Sequence, residues 1–416
     1  MLEPTKPLKG TGDKEFIALM ALLMSLLALS IDTVLPALGE VRQSFQLTHP
    51  NNAQWLISSV FLGMAFGLMI YGPLSDSFGR KKICYVGVGI FLLGNLISLM
   101  AADFNTLLLG RVLQGFGAAS CRVLTIAMIR DKYQGRDMAR VMSLIMMVFI
   151  LVPVLAPSVG QLVLLWFPWQ AIFVLLFIVA VIALLWLHFR QPETLPSNKR
   201  HSLVPSSIVA AIAETLSNSY SRNYMLASGL VFGSFVGYLS SAQQILQVQY
   251  QLGDWFVMVF GALALAIGVS SYANSMLVMT FKLHNLCVFS LTAITVISLL
   301  FSFYLLYLGA QPSLPVILLY LALILFNFGI LFGNLNTLAL QPLGHIAGTA
   351  TSCISSLQTL ISIFVGGFIG QCYDGRVQPL IWGFMFSAVL ALLILLRLGS
   401  ERSNKNSTGV APPVNA

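Results

Sequence analysis

Acidic side chains are rare in this chain. Only 14 Asp and Glu stand among 416 residues, and charged residues of both signs make up 9% of the total. A soluble domain carries about 25% charged residues, so a water-facing globular surface is excluded. Cysteine and histidine are as sparse, with five of each. Cys84, Cys121, Cys287, Cys353 and Cys372 include no close pair and no histidine at ligand spacing, which leaves no disulfide framework and no metal site to read. They are read as small core residues. His49, His188, His201, His284 and His345 fall in loops or at the ends of apolar runs, and none is placed for a catalytic triad. Nucleotide-binding loops and nucleophile constellations are missing too, which argues against an enzyme and against a bound cofactor.

What is present is apolar. Hydrophobic residues make up 57% of the chain and the mean hydropathy is +0.87. A membrane span needs roughly 20 apolar residues. Runs of that length are read at 16–37, 53–74, 83–101, 105–128, 138–162, 169–189, 224–247, 255–279, 285–308, 314–340, 347–371 and 377–397. The fold expected is therefore an all-α membrane protein of twelve transmembrane helices.

Lys and Arg placement tests that count, because basic residues gather in short cytosolic loops. Lys6, Lys9 and Lys14 precede the first span, Arg80 to Lys82 follow the second, and Arg130, Lys132, Arg136 and Arg140 follow the fourth. Arg190, Lys199, Arg200 and Arg222 flank the sixth-to-seventh loop, and Lys282, Arg397, Arg402 and Lys405 fall on the same side. The alternate loops hold only Arg42 and Arg376, so both termini are expected in the cytosol. The net charge of +8 is then an orientation signal, helped by anionic lipid heads, and needs no nucleic-acid partner. The first apolar run is too long for a cleaved signal peptide.

The hydrophilic stretch 190–222 divides the chain into a six-span half at 16–189 and a second at 223–398. Residues 1–15 are expected as a cytosolic segment. The Ser, Asn and Pro-rich residues 399–416 are expected as a disordered cytosolic tail.

Three intramembrane charges need explaining, since each costs several kcal/mol unless it faces water, protein or a partner. Asp32 shares a helical face with Ala21, Ser25 and Ala28, which suits a cavity lining or a close helix contact. Arg111 lies at matched depth on the fourth span, each about six residues or roughly 9 Å from the outer end, so the two can pair. Such a pair is either a fixed ion pair or a proton switch that separates and re-forms. Arg122 lies eleven residues after Arg111, on the same face, with Gly115 and Ala118 between them. It either snorkels toward the cytosol or meets an anionic group in the substrate. In the second half, Ser234, Tyr238 and Ser241 mark one face, Asn327 and Asn334 another, and Ser352, Ser355, Ser356 and Thr359 a third. Tyr238, Asn327 and Asn334 are the candidate substrate contacts there, and the many Phe and Met residues suit an adaptable pocket.

Several motifs carry a family resemblance. Gly72-Pro73-Leu74-Ser75-Asp76-Ser77-Phe78-Gly79-Arg80-Lys81-Lys82 resembles the signature turn of the major facilitator superfamily, with Ser77 where a basic residue is usual. Arg111-Val112-Leu113-Gln114-Gly115-Phe116-Gly117 resembles the signature of its proton-coupled members. Ala156-Pro157-Ser158-Val159-Gly160 resembles the antiporter motif in the form seen in the bacterial Bcr/CflA drug-efflux family, with Ala156 and Gln161 departing from the general pattern. Ile31 to Ala37, Arg130-Asp131, Trp169 to Phe173 and Ala347 to Ala350 are similar to that family as well. The resemblance implies two pseudo-symmetric six-helix halves, each of 3+3 inverted repeats, working as a monomer in a bacterial inner membrane on small molecules and protons. Proton coupling is expected at Asp32 and Arg111, and substrate contact at Gln114 and at Arg122, a basic residue that the resemblance does not require. Conformational gating is implied at Gly72, Asp76, Gly79, Arg80, Pro157 and Gly160. The function expected is proton-coupled drug export. A dedicated exporter of an anionic metabolite such as a siderophore is the rival within transport, and a non-transporting membrane sensor the rival outside it.

Overall fold

The computed structural model describes residues 12–200 and 205–407, and every regular element among them is helical. The first half holds α1 (Asp13–Asp32), a short α2 (Leu38–Ser44), α3 (Trp55–Phe78), α4 (Arg80–Leu99), α5 (Phe104–Lys132), α6 (Gly135–Leu164) and α7 (Ala171–Arg190). A linker helix α8 (Pro205–Ser217) leads to α9 (Ser219–Ala242), which continues as a π-helical stretch Gln243–Gln249. Then follow α10 (Trp255–Thr280), α11 (Leu283–Leu308), α12 (Leu314–Leu340), α13 (Ala347–Gln371) and α14 (Gln378–Ser407). Among the described residues, eleven stretches are long and apolar enough to cross a membrane, and one of them, Leu314–Gln371, contains both α12 and α13. A 3-10 turn, Gln341–Ile346, parts these two where Leu343 leaves helical geometry at φ −110° and ψ 26°. Twelve crossing helices result, one for each predicted run.

Burial sorts the helices into layers. In their most apolar windows the stretches containing α1, α3 and α9 are 72–78% buried, whereas those of α6, α7, α10 and α11 are only 24–33% buried. The first set forms the centre, and the second turns large apolar side chains such as Phe189, Met279 and Tyr307 outward, as a protein solvated by lipid does. The helix signature in α5 owes its glycines to packing. A Cβ at Gly115 would strike the Val60 carbonyl of α3, and one at Gly117 would meet the Gly87 carbonyl of α4 at 2.5 Å. Asp103 caps α5 by accepting from Thr106 Oγ1 at 2.7 Å and from Thr106 N at 2.9 Å, and these bonds hold its carboxyl below the usual range.

Several boundaries differ from the sequence expectation. Helix α1 starts at Asp13 and α9 at Ser219, inside segments read as polar. The linker 190–222 contains α8, which buries Ala211 and Thr215, four residues apart on one face. Helix α14 runs to Ser407, into the segment expected as a disordered tail, because a packed span has already met the cost of nucleation and each further residue adds one bond. Lys6, Lys9 and residues 408–416 lie outside the described residues.

Ion pairs bring Lys132 to Asp13 at 3.5 Å, Arg190 to Glu15 at 2.6 Å and Arg80 to Asp131 at 3.1 Å, so these basic residues share one end of the bundle. That end is called the basic end below, and the opposite one the far end.

Candidate functional site

Three motifs of the first half converge on a break in α1. Pro36 has no backbone N–H, so it cannot donate to the carbonyl of Asp32 and continue the helix. The helix therefore ends at Asp32, Thr33 N closes on Leu29 O at 3.1 Å, and the chain goes on as a 3-10 turn Leu35–Ala37. Carbonyls in such a last turn lack intrahelical donors. Arg111 supplies one, donating from Nη1 to Ser30 O at 2.8 Å and from Nε to Leu56 O of α3 at 3.2 Å. Nη1 also donates to Gln114 Oε1, and Gln114 Nε2 reaches Asn95 Oδ1 of α4 at 2.8 Å. A cation at a helix C-terminus also complements the dipole. From the other side, Gly160 lets α6 close on the chain just past Asp32, since a Cβ there would strike the Thr33 carbonyl. Pro157 lies buried one turn before it.

Asp32 is 4% exposed and lines a cavity of about 310 Å³ between the two halves. Arg122 of α5 lines the same cavity, as does Tyr238 of α9, whose buried hydroxyl has no hydrogen-bond partner. The walls are aromatic. Phe61 meets Phe232 edge-on across the halves at 5.8 Å, Phe235 meets Phe332 at 5.5 Å, and Tyr238 stacks on Phe260 at 5.9 Å. Ser271, Asn336, Ser355, Gln358 and Thr359 add neutral polar groups.

The structure corrects four expectations. Asp32 and Arg111 form no ion pair: Nε and Nη1 of the guanidinium donate to backbone carbonyls and Gln114, and Nη2 is buried without a hydrogen-bond partner. Equal depth on two helices says nothing about which way each side chain turns. Gln114 is fully buried in that staple and does not line the cavity. Asn327 donates to Leu323 O within its own helix at 2.9 Å, and Asn334 exchanges amide bonds with Asn274 of α10 at 2.8 and 3.1 Å. Neither lines the cavity, and Asn336 does. Gln358 was legible in principle, since it shares the α13 face of Ser355 and Thr359.

The signature turn lies at the basic end. Gly79 takes φ +100°, a value that favours glycine, and so reverses the chain between α3 and α4. Arg80 pairs with Asp76 at 2.5 Å and donates to Ser75 Oγ at 2.7 Å and Asp131 at 3.1 Å. Glu193 accepts from Arg80 N at 2.9 Å and Lys81 N at 3.2 Å, a carboxylate at a helix N-terminus. Gly72 faces Ser352 of α13, whose Oγ would lie 2.8 Å from an added Cβ, so here the halves touch closely.

At the far end the halves are joined by amides. Asn51 Nδ2 donates to the carbonyls of Gln371 at 3.0 Å and Tyr373 at 2.8 Å, and Gln371 Nε2 returns a bond to Asn51 O at 3.0 Å. Gln244 donates to Asn51 Oδ1 at 3.0 Å and accepts from Gln54, and Gln161 donates to Asp254 at 3.0 Å. A vestibule of about 490 Å³ opens among these side chains, bordered by Arg42 and Asp374.

Comparison with known proteins follows the same lines. The sequence pattern described as Major Facilitator Superfamily matches residues 20–367. The chain is 29% identical over 408 residues to an uncharacterized MFS-type transporter, YdgK, of Bacillus subtilis, covering 95% of this chain and 98% of the relative. It is 27% identical to the bicyclomycin resistance protein homolog of Haemophilus influenzae, covering 93% and 96%, and 28% identical to the multidrug resistance protein MdtL of Salmonella heidelberg, covering 94% and 96%. Among solved structures, a D-xylose-proton symporter superposes with a TM-score of 0.71 at 18% identity over 92% of this chain and 97% of the other. The human organic anion transporter MFSD10 superposes at 0.67 and 18% identity over 92% and 100%. At such identities the two structures speak for the fold.

Proposed function

Because this chain belongs to the major facilitator superfamily, we propose that it is a proton-coupled secondary transporter that expels small organic molecules or drugs from the cytosol by alternating access. The observation carrying this reading is Asp32, a carboxylate in the cavity between the halves, at a helix break, with no ion-pair partner among the described residues. Relatives named for bicyclomycin and multidrug resistance support export and the resemblance to the Bcr/CflA family. The basic end supports a cytosolic placement of both termini in a bacterial inner membrane.

In this scheme the two halves rock about the cavity. Substrate enters from the basic end while the amide contacts of Asn51, Gln54 and Gln244 keep the far end shut. Substrate binding favours the deprotonated Asp32, and outward opening lets the cavity release its guest and take a proton there. Protonated Asp32 then carries the proton to the cytosolic side on the return. Arg111 acts through the backbone, holding the α1 break where Asp32 sits. Gly72, Asp76, Gly79 and Arg80 form the inner gate, and Pro157 and Gly160 are the points where α6 moves against α1. The proton gradient supplies the energy, and the transporter works as a monomer without a bound cofactor.

Accumulation of neutral, cationic and carboxylate-bearing drugs in a pump-deficient bacterial host tests this, with wild type and Asp32→Asn brought to equal membrane levels. Wild type is expected to lower accumulation of some compounds in a manner abolished by an uncoupler, and Asp32→Asn is expected to lose that gradient-driven export. Equal export by both proteins would overturn the role given to Asp32.

A further inference from the structure

One acid and one base share the central cavity, and neither is neutralised there. Asp32 makes no ion pair, and Arg122 makes neither a hydrogen bond nor an ion pair among the described residues. Their separation follows from helix geometry. Asp13 of α1 and Lys132 of α5 lie in one layer, 3.5 Å apart. Counted from that layer along its own helix, Asp32 stands nine residues deeper than Arg122, which at 1.5 Å per residue sets their backbones roughly 13 Å apart in depth. The lining of the cavity they share is mostly apolar and aromatic, with Phe61, Phe232 and Phe235 among its residues. An uncompensated charge in such surroundings is costly, so each end of the cavity calls for an opposite charge on its guest.

We infer that the substrate is a zwitterion with separated charges: an apolar body carrying an ammonium at the end that meets Asp32 and a carboxylate or similar anion at the end that meets Arg122. The inference rests on the proton-exchange reading above and narrows it. Exchange requires substrate and proton to displace one another. An ammonium achieves this, because it occupies the carboxylate that the proton needs. A pure anion on Arg122 does the reverse: its charge favours the neutral, protonated acid, so anion and proton would travel together. A pure cation would satisfy Asp32 and leave Arg122 bare. The zwitterion alone neutralises both and still competes with the proton. The aromatic wall suits the ammonium end as well, since ring faces attract cations, and the unpartnered Tyr238 hydroxyl adds a polar group that a guest can satisfy.

Four probes on one rigid body test the assignment: a biphenyl bearing an aminomethyl group at one end and a carboxylate at the other, its methyl ester, its N-acetyl acid, and the N-acetyl ester. Binding to the purified full-length protein in lipid nanodiscs is measured by tryptophan fluorescence without any gradient. Wild type is expected to prefer the zwitterion over each singly charged probe by roughly tenfold or more, the scale of a hydrogen bond to a charged group. Arg122→Gln should bind zwitterion and methyl ester alike, Arg122→Lys should restore the preference, and Asp32→Asn should erase the preference over the N-acetyl acid. A wild type that binds an ester or an N-acetyl acid as well as the zwitterion, or none of the four, overturns the inference. So does an Arg122→Gln protein that folds and keeps its discrimination. Transport separates the two readings: zwitterion binding with this pattern but no gradient-driven movement supports the charge assignment and defeats only proton exchange.

Discussion

Asn51 ties the two halves together at the far end, and its removal has a calculable effect. Its side chain takes part in three hydrogen bonds, to the Gln371 carbonyl at 3.0 Å, to the Tyr373 carbonyl at 2.8 Å and from Gln244 at 3.0 Å. Neutral bonds of this kind contribute about 0.5–1.5 kcal/mol each after exchange with water, so Asn51→Ala should weaken closure by about 1.5–4.5 kcal/mol. At a factor of ten per 1.4 kcal/mol, the closed-to-open ratio falls by roughly ten- to a thousandfold. The lower part of that range is expected, because the adjoining vestibule of about 490 Å³ lets water take over the freed groups. Spin labels on cysteines placed at Arg42 and Val248, which border the vestibule from opposite halves, report the distance by double electron–electron resonance. The exposed native Cys372 is first replaced by serine. A longer-distance population should grow in Asn51→Ala, and Asn51→Ala with Gln244→Ala should add less than the two separate effects, since the residues share a bond. Distance distributions identical to wild type in both would refute the view that these amides hold the far end shut.

Two further outcomes concern the α1 break. Arg111→Gln strands the buried carbonyls of Ser30 and Leu56, at about 1–3 kcal/mol each, so the protein should melt at a clearly lower temperature in detergent, and an unchanged transition would remove the staple from the account. Gly160→Ala pushes α6 off the Thr33 carbonyl at a cost of about 1–3 kcal/mol and should lower both stability and transport, whereas Gly367→Ala, with open space around it, should change neither. Equal behaviour of the two glycine variants in melting and transport assays would contradict the close approach.

The fold was legible because bilayer thickness imposes a length that apolar runs must meet, and each of the twelve runs met a helix. Basic residues likewise marked one end. What stayed hidden lies between helices. Asp32 and Arg111 sit at the same depth, yet the arginine turns to carbonyls instead of the carboxylate. Asn334 had the spacing of a lining residue, but its partner Asn274 lies on another helix, where single-helix periodicity has no reach. The break itself was readable, for Pro36 stands four residues after Asp32 and its missing donor ends the ladder there. Arg122 was open between snorkelling toward the cytosol and meeting an anionic group in the substrate, and in the structure it lines the cavity. The amide contacts at the far end carried no sequence signal beyond a few Asn and Gln near loop positions.

The chemistry of those far-end contacts has a bearing on the surroundings the protein meets. Apart from Asp254, the groups that join the halves there are carboxamides and backbone carbonyls. Carboxamides do not titrate and their bonds are not weakened by ionic screening as exposed ion pairs are. On the proposed orientation, the outward closure holds alike in acidic and saline media. Of the cross-half hydrogen bonds there among the described residues, only the one from Gln161 goes to a carboxylate, that of Asp254, so brine or acid outside does not by itself break the carboxamide contacts.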